Sequence, residues 1–179
     1  MNTPNKLTLL RFILVFPFVV LMLQGWGGEA CKWICLGIFC IASATDALDG
    51  YIARKYNLVT NFGKFMDPLA DKLLVCSAMI CLMAQERLPA WAVLIIIARE
   101  FIISGFRLVA SDNGIVIAAS YWGKIKTICQ MAMIILLIAD LGGVMAVVEN
   151  ILIDLSVALT LISLADYLWK NKGVLSMQD

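Results

Sequence analysis

The sequence predicts an all-α integral membrane protein with six transmembrane helices and both termini in the cytoplasm. Hydrophobic residues make up 62% of the 179 residues and charged residues 15%, whereas soluble domains average roughly 45–50% apolar and about 25% charged residues. A soluble globule of this length cannot bury so much apolar surface, so soluble, disordered and disulfide-stapled domains are excluded. The apolar residues fall into six stretches, and crossing a bilayer takes about 20 residues each.

The six predicted spans follow one another with short connections. The first begins near Thr3 and Pro4, which are typical of a helix cap and first helical position, and it contains Pro17 as a predicted kink. The apolar stretches are 7–26, 33–53, 65–84, 89–110, 122–140 and 144–169. We find no internal repeat and no soluble segment, so residues 1–179 are predicted to form a single membrane domain.

Basic residues near the ends of the spans predict the orientation, because they favour the cytoplasmic side. With the N-terminus inside, Lys32 and Arg87 fall outside, Arg99 lies within the fourth span, and the other eleven of the 14 basic residues fall inside. Those eleven are Lys6, Arg11, Arg54, Lys55, Lys64, Lys72, Arg107, Lys124, Lys126, Lys170 and Lys172. We therefore predict that both termini face the cytoplasm.

The absence of histidine excludes several kinds of enzyme. Histidine general bases, Ser-His and Cys-His nucleophiles, and zinc sites built on imidazole are all ruled out. Six cysteines lie in or beside apolar runs, and we interpret them as packed, reduced thiols. The chemistry must therefore come from other side chains.

Four aspartates lie near the predicted cytoplasmic ends of spans two and three. Asp46 and Asp49 are three residues apart, and Asp67 and Asp71 are four apart, so each pair shares a helix face. Because the connection is short, the two helices are antiparallel neighbours and the pairs can converge. Four carboxylates at a membrane boundary repel one another, and oxygen ligands suit Mg²⁺ or Mn²⁺. We therefore predict a site for two divalent ions, an arrangement that clamps a transferring phosphoryl group.

Two glycines and two basic residues frame these aspartates. Gly50 and Gly63 let a ligand or backbone come close, and Arg54 and Lys64 are candidates to bind phosphate oxygens. The alternative is that each aspartate is a solvated residue or a helix cap, and Asp67, which precedes a proline, has the cap signature. Four aspartates at paired helical spacing favour the metal–phosphate site.

Residues 46–71 read D-x₂-D-G-x₂-A-R-x₈-G-x₃-D-x₃-D, which resembles the signature of the CDP-alcohol phosphatidyltransferase family position for position. The resemblance implies transfer of a phosphatidyl or similar group from a CDP-linked donor to an alcohol, with release of CMP. It implies that Asp46, Asp49 and Asp67 bind metal and that Asp71 is a ligand and the general base. Because a metal-bound carboxylate is a poor base, the alternative is that Asp71 only orients the acceptor hydroxyl. The residues predicted to bind the CDP phosphates are Gly50, Ala53, Arg54, Gly63 and Lys64.

The fourth and fifth spans carry candidates for binding the acceptor. Glu100, Ser104, Arg107 and Ser111 are spaced 4, 3 and 4 residues apart and form one polar stripe, which faces protein or water. The basic residues predicted to bind a phosphate on the acceptor are Arg99, Arg107, Lys124 and Lys126. Two alternatives stay open: the two lysines, about 200° apart on a helix, anchor the inner interface, or Arg99 and Glu100 form an internal ion pair.

The wider pattern resembles the bacterial phosphatidylglycerophosphate synthase subfamily. This resemblance is carried by Asn5-Lys6-Leu7-Thr8 with Arg11, Arg99-Glu100-Phe101, Arg107, the segment 114–119 and Gly123-Lys124-Ile125-Lys126-Thr127. It implies CDP-diacylglycerol as donor, sn-glycerol 3-phosphate as acceptor, a multi-pass protein of the bacterial inner membrane with a cytoplasmic site, and a homodimer. Asn5 and Thr8, three apart on one face, are candidates for nucleotide contacts.

Three other functions are considered. The nearest keeps the family and changes the acceptor alcohol, as in cardiolipin, phosphatidylserine or inositol-phosphate lipid synthesis. Membrane prenyltransferases also use aspartate-rich Mg²⁺ motifs, but they have more spans and lack the glycine–arginine framing. A cation channel or transporter predicts acidic residues through the membrane depth, whereas these four aspartates cluster on one side.

Overall fold

The structure is a computed structural model. It describes the backbone of residues 3–25, 28–55, 61–112, 117 and 120–172, and the side chains of 8–25, 28–45, 69–111, 117 and 120–172. Within this part the chain forms six helices: α1 (Thr3–Gln24), α2 (Glu29–Lys55), α3 (Asn61–Ala84), α4 (Ala90–Asp112), α5 (Tyr121–Ala139) and α6 (Met145–Lys170). Each predicted apolar stretch coincides with one helix to within two residues at the ends it overruns, so the prediction of an all-helical protein is confirmed.

The helix bounds correct one sequence interpretation. α3 begins at Asn61, ahead of Asp67, so the reading of Asp67 as the cap of that helix is wrong. The helix is already formed when the chain reaches Asp67. α1 ends at Gln24, and the Gly25 that follows has a φ of +61°, a left-handed conformation that glycine adopts without strain.

Two helices meet the length and apolarity expected of a membrane span. These are α5 and α6, and the stretch Thr8–Gln24 of α1 is apolar but shorter. That count covers only the part of the chain that the structure describes. The total of six spans and the cytoplasmic location of the termini stay predictions.

The chain divides into two compact units. The first contains Met1–Arg87 and Leu137–Asp140, and the second contains Leu88–Leu136 and Leu141–Asp179. In the first unit α1 packs against both α2 and α3, and α2 also contacts α3. In the second unit α4 packs against α6.

The core of the first unit combines aromatic rings with small residues. The rings of Phe18 on α1 and Phe39 on α2 lie 6.2 Å apart between centroids. On α3, the fully buried Ala70, Leu74 and Ala78 recur at intervals of four, so one face of α3 is packed. Asp71 follows Ala70 directly and is half-buried at the border of this face.

Charged residues join chain segments at one end of the first unit. Arg87, after α3, lies 2.8 Å from the carboxylate of Asp140, and Lys32 of α2 donates to the Asp140 carbonyl oxygen at 3.4 Å. Lys32 also pairs with Glu29 at 2.8 Å. Lys32 and Arg87, the two basic residues assigned to the same side of the membrane from the sequence, therefore lie at the same end of this unit.

Candidate functional site

The predicted aspartate site lies on α2 and α3. Both helices continue through the motif, so Asp46 and Asp49 share one helix and Asp67 and Asp71 share the next. Asp71 has a described, half-buried side chain. The side chains of Asp46, Asp49 and Asp67 lie outside the described residues. Among the side chains that are described, no group of three or more histidine, cysteine, aspartate or glutamate residues is placed to hold a metal ion. The carboxylate of Asp71 offers oxygen atoms of the kind that hard cations prefer as ligands. The metal site itself stays a prediction.

The same limit applies to the predicted nucleotide and phosphate contacts. Six of these residues lie outside the part of the chain in which the structure describes more than the backbone: Asn5, Gly50, Ala53, Arg54, Gly63 and Lys64. Thr8 is described and buried, with 1% of its surface exposed. Arg11, one helical turn further along α1, is buried to the same extent at 2%. In the sequence, Arg11 is a topology signal and part of the subfamily resemblance together with Thr8, but it is not a predicted site residue; its i, i+3 spacing from Thr8 places both on one helix face.

The four basic residues predicted to bind the acceptor differ sharply in burial. Arg99 and Lys126 are buried, with 8% and 1% of their surfaces exposed, whereas Arg107 and Lys124 are exposed. All four belong to the second unit. The two buried cations are held by protein groups, and the two exposed cations are accessible to a solute.

Arg99, Glu100, Lys126 and Ser163 form what we call the charge cluster. One carboxylate oxygen, Glu100 Oε1, accepts from Lys126 Nζ at 2.5 Å and from Arg99 Nη1 at 3.0 Å. Arg99 Nη2 donates to Ser163 Oγ at 2.5 Å. The cluster therefore joins α4, α5 and α6, and it confirms the alternative that Arg99 and Glu100 form an internal ion pair. With two cations and one carboxylate, its formal charge is +1.

Close packing of α5 against Arg99 depends on Gly123. A Cβ atom at this position would lie 3.2 Å from Arg99 Nη2, 3.4 Å from Ser120 Oγ and 3.7 Å from Ser163 Oγ. A side chain here would therefore press on the guanidinium while it is bound to Ser163. The absence of a side chain explains why a glycine suits the start of α5.

Sequence reasoning missed a polar stripe on α6. Ser156, Thr160, Ser163 and Tyr167 are spaced 4, 3 and 4 residues apart and are buried to 2% exposure or less. The spacing equals that of the stripe recognised on α4, so the signal was present, but hydroxyl residues in an apolar span resemble small packing residues. The polar stripes of α4 and α6 contact each other, because the Arg107 guanidinium lies 5.8 Å from the centre of the Tyr167 ring.

The second unit therefore has the chemistry to bind an anion. Arg107 and Lys124 present exposed positive charge, and buried ion pairs and hydrogen bonds hold the helices that carry them. Arginine and lysine are the usual partners of phosphate oxygens.

Comparison with known proteins identifies the class. The model of the CDP-alcohol phosphatidyltransferase family matches residues 1–162. The chain belongs to this family, and the match runs through all the aspartates of the motif and through α4 and α5.

Curated relatives narrow the comparison. The chain is 51% identical to the CDP-diacylglycerol–glycerol-3-phosphate 3-phosphatidyltransferase of Bacillus subtilis (strain 168). That alignment extends over 140 residues and covers 73% of this chain and 72% of the relative. It is 40% identical over 166 residues to the protein of the same name from Rickettsia typhi, with 90% and 92% of the two chains covered. It is 38% identical over 167 residues to a probable phosphatidylglycerophosphate synthase of Mycobacterium tuberculosis, covering 93% of this chain and 79% of the relative.

Proposed function

We propose that this protein is a transferase of phospholipid biosynthesis that moves the phosphatidyl group of CDP-diacylglycerol to sn-glycerol 3-phosphate, giving phosphatidylglycerophosphate and CMP. The observation that carries the proposal is the identity of 38–51% to the relatives of that name. Exposed Arg107 and Lys124 support an acceptor that itself carries a phosphate.

The donor side of the reaction is assigned to the aspartate motif. Asp46, Asp49, Asp67 and Asp71 would hold two divalent cations, Mg²⁺ or Mn²⁺, since carboxylate oxygens are their preferred ligands. When bound, these ions supply positive charge that offsets the charge developing on the CMP leaving group. Arg54 and Lys64 are proposed to bind phosphate oxygens of the donor, with Gly50, Ala53 and Gly63 leaving room for it. Asn5 and Thr8 are proposed to contact the nucleotide.

The chemical step is a displacement at phosphorus. A hydroxyl oxygen of glycerol 3-phosphate forms a bond to the phosphatidyl phosphorus, and the bond from that phosphorus to the bridging oxygen of CMP breaks. The electron pair leaves with CMP, and the proton leaves the attacking hydroxyl. Asp71 accepts that proton, because it combines a carboxylate with a half-buried position on α3.

The acceptor side is assigned to the second unit. Arg107 and Lys124 are proposed to bind the phosphate of glycerol 3-phosphate directly, since both are exposed. Arg99 and Lys126 are buried in the charge cluster, so their predicted contribution to acceptor binding runs through the helices they join.

The remaining assignments concern the setting of the enzyme. We propose a six-span protein of a bacterial inner membrane, with both termini and the active site facing the cytoplasm, where the soluble acceptor is found. Residues 1–179 are proposed to act as a single domain, which the family match across both units supports. A homodimer is also proposed, on the family resemblance.

The proposal is tested by giving the purified protein labelled CDP-diacylglycerol with each of several alcohols. Glycerol 3-phosphate should give phosphatidylglycerophosphate and stoichiometric CMP, while inositol phosphate, serine and phosphatidylglycerol give little product. Preferred turnover of one of those three would assign the protein to another acceptor within the same family. Absence of metal-dependent CMP release with every acceptor would overturn the transferase assignment.

A further inference from the structure

The charge cluster brings two buried cations and a partly buried carboxylate together between three helices. Lys126 is 1% exposed and Arg99 8% exposed, and the Glu100 side chain between them is 20% exposed. Burying charge inside a bilayer protein is costly, and such residues are found where a function requires them. Buried ion pairs also add little stability compared with apolar residues of the same size. Packing alone therefore does not account for the cluster.

Glu100 is the centre of the cluster. Its Oε1 atom accepts from both Lys126 and Arg99, and its backbone carbonyl oxygen accepts from Ser104 Oγ at 2.5 Å. Without this carboxylate, two positive charges would lie close together in a buried place, and the repulsion would push α4 and α5 apart. Glu100 reduces the formal charge of the cluster from +2 to +1.

The cluster and the exposed cations lie on the same helices. Glu100 and Arg107 are seven residues apart and share the polar face of α4. Lys124 lies half a turn before Lys126 on α5. α6 contacts α4 at two levels, through Ser163 with Arg99 and through Tyr167 with Arg107, and the Phe106 ring packs edge-on against Tyr167 at 5.7 Å. A shift at Glu100 would therefore move α4 and α5, the two helices that carry Arg107 and Lys124.

From this arrangement we infer that Glu100 is a positioning residue for acceptor binding: its carboxylate holds α4, α5 and α6 together so that Arg107 and Lys124 meet the phosphate of the acceptor. The inference rests on the proposed function and adds to it a residue that does not touch the substrate. Arg99, Lys126 and Ser163 act with Glu100 in this role. The donor, which is assigned to the aspartates of the first unit, does not depend on it.

The test compares Glu100→Gln with the double variant Glu100→Gln/Lys126→Met in steady-state assays. The single variant keeps the size of the side chain but leaves the cluster at +2, and we expect the KM for glycerol 3-phosphate to rise on the order of 10- to 100-fold, as small misplacements of binding groups do. The double variant leaves Arg99 alone at +1, the charge of the wild-type cluster, so most of that increase should be reversed. The KM for CDP-diacylglycerol should stay within about twofold in both.

Two further variants keep the test decisive if Glu100→Gln does not fold. Glu100→Asp keeps the charge on a shorter side chain, and we expect a smaller rise in the acceptor KM than with glutamine. Lys126→Met keeps the Arg99–Glu100 pair, and we expect a rise of only a few fold. The matched control is Glu29→Gln, the same change in an exposed ion pair with Lys32, whose carboxylate side chain is 83% exposed. It should change neither KM.

Each result has one meaning. One outcome is that turnover falls only as far as the fraction of folded protein falls, while the KM for the acceptor stays at the wild-type value. In that case Glu100 has only a structural role and the inference is wrong. A double variant that binds the acceptor more weakly than either single variant would show direct contact with the substrate, which also contradicts it. Absence of wild-type turnover with glycerol 3-phosphate, by contrast, would overturn the proposed function itself.

Discussion

Two serines on one face of α6 allow a sharp test of how the charge cluster is stabilised. Ser156 and Ser163 are seven residues apart and both fully buried. The hydroxyl of Ser163 accepts from the charged Arg99 guanidinium at 2.5 Å, whereas that of Ser156 lies 3.3 Å from the neutral thiol of Cys129. The substitutions Ser163→Ala and Ser156→Ala therefore remove the same atom from the same depth on the same helix, and differ in the charge of the partner.

The expected difference follows from the partner that is left behind. Removing Ser163 Oγ leaves Nη2 of a buried guanidinium without its partner, which costs about 1.5–3 kcal/mol for a hydrogen bond to a charged group. Arg99 Nε already makes no hydrogen bond within the described part of the chain, so the loss is not easily redistributed. A thiol is a weak partner, and Ser156→Ala should cost less than about 1 kcal/mol.

Thermal unfolding in detergent measures this difference. With roughly 2–4 °C per kcal/mol for a chain of this size, Ser163→Ala should lower Tm by about 3–12 °C and Ser156→Ala by less than about 4 °C. The Thr160 hydroxyl donates to the backbone carbonyl of Ser156, which both variants keep. Equal shifts for the two variants, or a larger shift for Ser156→Ala, would refute the view that a charge-assisted bond holds Arg99 to α6.

The other predictions concern the reaction and one buried hydroxyl. Asp71→Asn should lower turnover at saturating metal by at least about 100-fold, as loss of a general base does; near-normal turnover in the same assay would remove Asp71 from that role. Removal of divalent ions with a chelator should abolish CMP release and added Mg²⁺ or Mn²⁺ should restore it, whereas full activity in the chelated sample would contradict the metal assignment. Tyr167→Phe should change the unfolding free energy by less than about 0.5 kcal/mol, because the buried hydroxyl has no hydrogen-bond partner among the described residues; a larger destabilisation, read from Tm, would reveal such a partner.

The helices could be predicted from the sequence because their signals are local. Each apolar stretch is long enough to form a helix by itself, and the glycine at position 25 marks the end of α1. α3 begins at Asn61, four residues before the apolar stretch that starts at position 65, because the polar residues ahead of an apolar run carry no apolar periodicity.

The partners of the charged residues could not be predicted in the same way. The spacing of Glu100 and Arg107 predicts that they share a face of α4, but Lys126 and Ser163 reach that face through tertiary packing of α5 and α6. Nothing in the periodicity of one helix states which residue of another helix it meets. For that reason the sequence left two explanations of Arg99 open, and the distances within the second unit decide that it is paired with Glu100.

The aspartate motif is a different case, because fixed spacing is itself the signal. Positions 46 and 49 lie on one helix and 67 and 71 on the next, as the spacing predicts. The family match confirms the resemblance that this motif suggested. The metal ligands follow from the chemistry of carboxylates and stay a prediction that the chelation and Asp71→Asn assays examine.

The most direct test of phosphatidyl transfer follows the oxygen of the acceptor hydroxyl. Glycerol 3-phosphate labelled with heavy oxygen at its free hydroxyls is supplied with CDP-diacylglycerol, and the lipid product and CMP are analysed by mass spectrometry. The proposed displacement predicts that the attacking oxygen is retained in phosphatidylglycerophosphate and that CMP carries no label. A lipid product that has lost that oxygen, or CMP released without a labelled lipid, would contradict transfer from the CDP-linked donor to glycerol 3-phosphate.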